Sequence, residues 1–353
     1  VLKSSPAIRA AALYPPESGP RRAAYCRDAA EKDHFPFPAR PPAAKKSDAP
    51  PPTPAPTPPD HFPINPRLDP RHLPSLPMSA YSIGVIIPAA GASRRYQEDD
   101  TSPLGGPVRS KLDEDLGGRP VLQRTVELFN KRDDVASIVV AGPADDQAFA
   151  AFSARHADKL SLLGARLCRG GKTHRYETVA NALPLIPDSC THIAIHDAAR
   201  PCAGDALIDR VFRAAAEKGF DAVIPGIDTP DTLKRVHPEW MKDASHDPLA
   251  AILGDAGADR KLGRYVDATI PRESVVSVQT PQVFKAELLR KAYAQADLAS
   301  TDDAQLVERI GGKVLVVPGE STNIKITRAG DITLARAILG VRPPQERAAH
   351  KRF

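Results

Sequence analysis

The chain has 353 residues, a net charge of +5 and charges of both signs mixed along its length. It has neither the basic stripe of a nucleic-acid binder nor a run near the roughly 18 apolar residues of a membrane span. Its four cysteines, Cys26, Cys168, Cys190 and Cys202, show no CxxC spacing, which argues against a zinc or disulfide framework and fits reduced thiols in a cytoplasmic protein.

Proline is the outlier, and twenty of the 37 prolines precede Met78. A tract such as "DAPPPTPAPTPPDHFP" favours extended polyproline conformations and has little to bury. Residues 1–78 therefore read as a disordered head. Met78, just before the first core strand, reads as the true translation start. A targeting peptide is the rival reading, opposed by Asp28, Glu31 and Asp33 and by the lack of a long apolar stretch. Residues 79–341 read as one domain, and the polar, basic 342–353 as a fraying tail.

Within that domain short apolar runs alternate with helical periodicity. "IGVIIPA" predicts a buried strand, "RPVLQRTVELFNK" a helix, "ASIVVAGP" a strand and "DDQAFAAFSARHA" a helix. "LSLLGARLCRGG" predicts a strand ending in glycines, "RYETVANALPLI" a helix and "HIAIHDAARP" a short buried strand. "DALIDRVFRAAAEKG" reads as a helix stopped by Gly219, and "DAVIPGI" as a strand. Such alternation predicts an α/β fold, a doubly wound and mostly parallel sheet of the Rossmann-like kind. After Ile227 the pattern breaks into an excursion over about 228–275: two strand-like arms joined by a polar loop, returning at "VSVQTPQVF". There follow a helix "KAELLRKAYAQA", a helix "STDDAQLVERIGG" capped by Thr301 or Asp302 and ended by Gly311, a strand "KVLVVPG", a short strand "TNIKIT" and a helix "AGDITLARAIL".

Ligands of doubly wound sheets sit beyond the carboxyl ends of the strands. Three loops stand there. "PAAGASRR" offers Ala89, Ala90 and Gly91, small enough for backbone N–H groups to approach a phosphate, followed by Arg94 and Arg95. Equally, it could be an ordinary turn with surface arginines. "CRGGKTHRYETV" offers Gly170 and Gly171, then Lys172 and Thr178: close approach to a base or ribose, or simply a turn into a helix. "HDAARP" offers Asp197 and Arg200, which could orient hydroxyls, a metal or phosphate, or could pair with each other. His196 reads as packed. Lys111, beside Asp113, Glu114 and Asp115, is on local composition a solvated charge. "QTPQ" adds Thr280 and "TNIKIT" adds Lys325. Several cations, hydroxyls and glycine loops around one carboxylate suit phosphoryl chemistry, where positioning and charge neutralisation dominate. They suit neither hydride transfer nor paired-carboxylate hydrolysis, and there is no Ser-His-Asp arrangement or His/Cys metal cluster.

In this order, "PAAGASRR", "HDAARP", "DTLKRV", "QTPQVF", "TDDA" and "NIKIT" closely resemble the 2-C-methyl-D-erythritol 4-phosphate cytidylyltransferase family over about Ile83 to Leu339. The resemblance implies a nucleotidyltransferase fold, CTP and methylerythritol phosphate as substrates, and Mg²⁺ carried mainly by the CTP phosphates, with no protein metal ligand assigned. It also implies a homodimer joined through the arm. By motif, Arg95 and Lys111 would stabilise the transition state, and Lys325 and Arg272 of "IPRESVV" would position the methylerythritol phosphate. Asp197, Arg200, Thr232 and Thr280 would line the same pocket, with Thr232 and Arg272 serving the partner's site. Ala89, Ala90, Gly91, Gly171, Lys172 and Thr178 would surround the cytidine. Three departures stand out. Lys111 follows Arg95 by sixteen residues, behind an insertion after Tyr96. The "GGKTHRYETV" loop is one residue longer than usual, and Thr229 in "DTPDTLKR" rivals Thr232. Three other readings remain open: a cytidylyltransferase for another alcohol phosphate such as ribitol 5-phosphate, a sugar-nucleotide glycosyltransferase, and a non-catalytic nucleotide binder. The first loop lacks the AGGxGxR of the ribitol-type relatives, and "HDAAR" lacks the Asp-x-Asp of the glycosyltransferases.

Overall fold

A computed structural model describes residues 81–98, 110–242 and 261–343. All the described residues fall in one compact unit. The expectations for the proline-rich head and its start at Met78, for most of the insertion after Tyr96, for the tip of the arm and for nearly all of the tail fall outside the described residues.

The first strand, β1 (Ile83–Pro88), lies inside the sheet and pairs in parallel with β2 (Val135–Gly142) and β4 (His192–Ile195). Outward from β2 lies β3 (Ala165–Arg169), also parallel. Beyond β4 comes the antiparallel β11 (Gln282–Lys285), which pairs with both β4 and β5 (Ala222–Asp228). The short β10 (Val276–Val278) pairs antiparallel with the far end of β5, and β12 (Val314–Pro318) runs parallel on its other edge. The result is the expected mostly parallel sheet.

Side chains of β1 alternate between the faces, as strand geometry requires. Ile83, Val85 and Ile87 join one core with Leu122, Val126 and Phe129, whereas Ile86 joins a second with Val179, Ile193 and Ile195. Helices cover both faces: α2 (Val121–Glu127), α3 (Asp146–Leu162) and α5 (Asp205–Ala216) carry core residues of the first cluster, with α8 (Gly330–Leu339). Helices α4 (Arg175–Ala182), α6 (Ala286–Tyr293) and α7 (Asp303–Arg309) carry those of the second. Each fully buried phenylalanine, Phe129 and Phe284 among them, contributes about 1.5–3 kcal/mol relative to an exposed one.

Two local expectations are corrected. Leu160–Leu162 belong to α3 and not to the following strand: Phe152, His156 and Leu160 form one buried face at i, i+4 and i+8, and Gly164, at φ +73°, turns the chain into β3. "TNIKIT" is not a strand. Its backbone groups are taken elsewhere, Ile326 N–H donating to the Ala199 carbonyl (2.9 Å) and the Asn323 carbonyl accepting from Arg200 (2.6 Å). In α7, Asp302 provides the cap, its carboxylate accepting from Gln305 N–H.

The excursion is present. Strands β6 (Leu233–Val236) and β9 (Val266–Ile270) form a two-stranded antiparallel ribbon, extended by β7 (Met241–Lys242) and β8 (Lys261–Gly263). Among the described residues, no helix is long and apolar enough to cross a membrane.

Candidate active site

The loops after β1, β3 and β4 meet at one end of the sheet. Gly170 is where two of them touch: a Cβ there would lie 2.6 Å from the Gly142 carbonyl and 2.9 Å from Ala90 Cβ. At Gly171 a Cβ would meet Glu177 Cβ at 2.2 Å, so both positions need glycine to pass this closely. Thr178, buried at the start of α4, accepts the Gly171 N–H at 3.0 Å, and Asn181 donates to the Gly170 carbonyl at 2.9 Å. Thr178 thus shapes the loop, while Lys172 is exposed on it. In the first loop Ala89 is buried and Gly91 exposed. Ser93, at φ +54°, turns the chain into α1 (Arg94–Glu98), its carbonyl accepting from Tyr96 and Gln97 N–H.

The "HDAAR" loop forms the floor. Asp197 is buried, and its Oδ2 lies 3.0 Å from Lys325 Nζ and 3.2 Å from Arg200 Nε. Its Oδ1 lies 3.4 Å from Arg175 Nε. Burial alone would raise the Asp197 pKa, but Lys325, Arg175 and Arg200 outweigh it and hold the carboxyl far below the usual range. The Asp–Arg pair read from sequence therefore exists, and it stands inside the pocket. A cleft of about 130 Å³ opens here, lined by Arg175, Asp197, Arg200, Thr280, Gln282, Asp302 and Lys325 among others.

His196 ties the floor together. Its Nε2–H donates to the Arg200 carbonyl at 3.0 Å, which leaves Nδ1 to accept from the Thr280 hydroxyl at 3.2 Å. The same Thr280 oxygen accepts the Asp197 N–H at 3.0 Å. Burial pushes the His196 pKa down to about 4, so the ring is neutral near pH 7 and serves as a bridge. Both bonding capacities of Thr280 face this bridge. Helix α2 adds Thr125, whose hydroxyl donates to the Ala198 carbonyl at 2.9 Å.

Lys111 reaches the site despite its acidic neighbours in sequence. Its ammonium donates to the Ile326 carbonyl at 2.8 Å, one residue from Lys325. Burial, then the Lys325 charge, then that of Arg95 lower its pKa to about 8 against the pull of Asp197. Arg95 is exposed at the mouth on α1, close enough to act on Lys111. The cluster is net cationic and suits a polyphosphate.

Known proteins are similar to this chain in sequence and in fold. The family model for 2-C-methyl-D-erythritol 4-phosphate cytidylyltransferase matches residues 83–248 and 249–341. A protein of that name from Frankia casuarinae is 35% identical over 274 residues, 77% of this chain and 87% of its own. The corresponding protein of Solibacter usitatus is 34% identical over 73% of this chain and 95% of its own. The crystal structure of the Thermus thermophilus protein of that name is 31% identical, with a TM-score of 0.51, over 74% of this chain and all of that one. The chain belongs to the 2-C-methyl-D-erythritol 4-phosphate cytidylyltransferase family.

Against the family motifs, the structure brings Ala89, Ala90, Gly91, Gly171 and Thr178 to one side of the sheet's end. Asp197, Arg200, Thr280, Lys325 and Lys111 gather on the other. Thr232 and Arg272 are not brought in. Both are exposed on the arm, and Arg272 donates to the Pro230 carbonyl at the arm's base. The rival Thr229 lies 3.3 Å from the Ser277 hydroxyl.

The sequence motifs single out neither Arg175 nor its partner Asp303 for a role in the site. Arg175 bridges Asp197 and the deeply buried Asp303, which it meets at 2.5 Å and which also accepts from the Tyr293 hydroxyl at 2.5 Å. Burial alone would lower the Arg175 pKa, but Asp303 and Asp197 drive it up. A signal was present: an arginine in the first turn of α4 opposes the helix dipole, so it needs an anionic partner from elsewhere.

Proposed function

We propose that this chain transfers CMP from CTP to 2-C-methyl-D-erythritol 4-phosphate, giving 4-diphosphocytidyl-2-C-methyl-D-erythritol and pyrophosphate, a step of the non-mevalonate route to isoprenoid precursors. The observation that carries the reading is the cationic cluster of Lys111, Arg175, Arg200 and Lys325 around the buried carboxylate of Asp197. A phosphate monoester oxygen of the alcohol phosphate attacks the α-phosphorus of CTP. The new P–O bond forms as the bond to the β-phosphate's bridging oxygen breaks, and pyrophosphate leaves. The nucleophile is already anionic, so no strong general base is required. What the protein must supply is alignment and neutralisation of the charge that grows on the α-phosphate.

In this reading Ala89, Ala90 and Gly91 present backbone N–H groups to the triphosphate, and the Gly170–Gly171 loop takes the cytidine beside Lys172. Arg95 and Lys111 meet the transition-state charge. Lys325, Arg200 and Asp197 receive the alcohol phosphate. A divalent cation of the Mg²⁺ type fits this site through one carboxylate and substrate oxygens, because Asp197 Oδ1 has only a 3.4 Å contact and keeps lone pairs. When bound, it would neutralise phosphate charge.

The arm supports a homodimer. A lone two-stranded ribbon is marginal in water, and this one exposes Trp240, Leu262, Tyr265 and Val266. A partner would cover them, and each arm would carry Arg272 and Thr232 to the other subunit's alcohol phosphate. The free Cys168, Cys190 and Cys202 suit a cytoplasmic enzyme. A pyrophosphate-release assay over a panel of nucleotides and alcohol phosphates tests the reading. Release is expected with CTP and methylerythritol phosphate; release only with ribitol phosphate or another alcohol phosphate would refute it.

A further inference from the structure

Lys111 stands sixteen residues beyond Arg95, and what fixes its ammonium in the site must be sought in the contacts of residues 110–118. Downstream, Leu112 and Leu116 enter the core, Arg124 Nε donates to the Leu116 carbonyl at 2.5 Å, and Arg336 Nη2 donates to the Asp115 carbonyl at 2.9 Å. Closer to the lysine the chain makes a tight turn, with Asp113 N–H donating to the Ser110 carbonyl at 2.9 Å. Whatever grips Asp113 therefore grips Lys111.

That grip comes from α3. His156 is only 3% exposed, and its Nε2 lies 2.7 Å from Asp113 Oδ1. Arg155 Nε stands 3.2 Å from Oδ2 of the same carboxylate. Burial alone would raise the Asp113 pKa, but the His156 and Arg155 contacts prevail and lower it, so the group is an ionised acceptor and His156 Nε2 carries the hydrogen. A neutral imidazole suffices for this bond. Phe152, at a ring separation of 4.8 Å, packs against the imidazole.

We propose that His156 is a positioning residue for Lys111, pinning Asp113 and its turn to α3 so that the ammonium is delivered to the Ile326 carbonyl beside Lys325. The inference rests on the functional reading for what Lys111 does there. A histidine that merely satisfied its own burial would affect stability alone.

The test uses the full chain and amine-directed acetylation, followed by mass spectrometry as a function of pH. Lys285, bound to Asp221 at 2.9 Å, is the internal reference. In the native chain Lys111 should titrate at about 8. His156→Ala, or Asp113→Ala at the more exposed end of the same contact, should move that midpoint up by about one unit or more toward an ordinary lysine. Lys285 should stay where it was. His156→Gln, which keeps a donor, should restore the native midpoint. In turnover, the two alanine variants should lose about tenfold to about a hundredfold in kcat, with KM for methylerythritol phosphate little changed. An unmoved Lys111 midpoint in Asp113→Ala, or a parallel shift of Lys285, would overturn the proposal. Failure of the native chain to release pyrophosphate would overturn the functional reading instead; the acetylation, which needs no turnover, still decides how Lys111 is held.

Discussion

If Lys111 works as a cation, the reaction should fail on the alkaline side far earlier than an ordinary lysine would allow. Its pKa of about 8 reflects burial first, then the neighbouring charges of Lys325 and Arg95, only partly offset by Asp197. The sign is opposite to that of a lysine gaining a partner. Folding makes this ammonium harder to keep, a destabilisation present below pH 8 and relieved as pH rises from there toward the unfolded value near 10.5. At face value the shift corresponds to about 3 kcal/mol, and to about half that once solvent screening at a partly exposed group is allowed for. An anionic triphosphate reverses the balance and should draw a proton onto Lys111 as it binds near pH 8. The assay is kcat/KM for CTP across pH 7 to 9.5, which reports groups of the free enzyme. At the upper end about 3% of a group with that pKa is protonated, so kcat/KM should fall about 30-fold. Lys111→Arg should start lower, because a guanidinium does not reproduce the contact to the Ile326 carbonyl, but its profile should stay flat across this range. An alkaline limb that persists unchanged in Lys111→Arg would refute the assignment, as would a native profile flat to pH 9.5.

Other expectations follow from the same geometry. Arg95→Ala should lower kcat by at least about 10² with a small change in KM for CTP; a raised KM alone would make Arg95 a binding residue. Gly170→Ala must push its Cβ away from the Gly142 carbonyl at 2.6 Å. It should cost about 1–3 kcal/mol in thermal or denaturant unfolding and raise KM for CTP, because the loops after β1 and β3 part. Arg95→Ala and Arg272→Ala chains, each weak alone, should recover about a quarter of native activity when unfolded together and refolded, since half the dimers then hold one intact site. No recovery would place Arg272 in the service of its own chain.

How far the sequence could be read depended on the range of the interaction. The alternation of β1 side chains, the apolar faces of the helices, the αL glycine at Gly311 and the acidic cap at Asp302 are set by neighbours a few residues away, and all were legible. The arm was legible as a broken pattern. What failed was set from a distance. "TNIKIT" has the β-branched content of a strand, yet Arg200, Ala199 and Lys111 claim its backbone groups, and none of these is near it in sequence. Lys111 looked solvated because Asp113, Glu114 and Asp115 follow it; in the fold Asp113 turns to His156, and the lysine meets Ile326 instead. By motif Thr280 is only a wall of the pocket, whereas in the fold its hydroxyl spans Asp197 N–H and His196 Nδ1. Arg175 gives no local sign of its role because its two carboxylate partners lie in distant segments, Asp197 after β4 and Asp303 at the start of α7.

In the proposed reaction, the spread of cations would also let the first loop do without a single phosphate-binding lysine. Lys111, Arg175, Arg200 and Lys325 come from four separate segments, so no one short motif holds them all. Packed together without a counterion they would repel one another through a partly dehydrated space, where each pair is worth several times its value in water. Asp197 removes much of that repulsion by meeting Lys325, Arg200 and Arg175 at once, and Asp303 takes up the far side of Arg175. Lys111 meets a carbonyl instead of a carboxylate and feels Asp197 only at a distance, too weakly to offset burial and the Lys325 charge, so its pKa is lowered. Within the cluster, then, the cation least neutralised by the resting protein is also the one with most to gain from a phosphate oxygen. In the proposed reaction, that uneven sharing of two carboxylates would leave the site ready for a substrate whose charge grows during reaction.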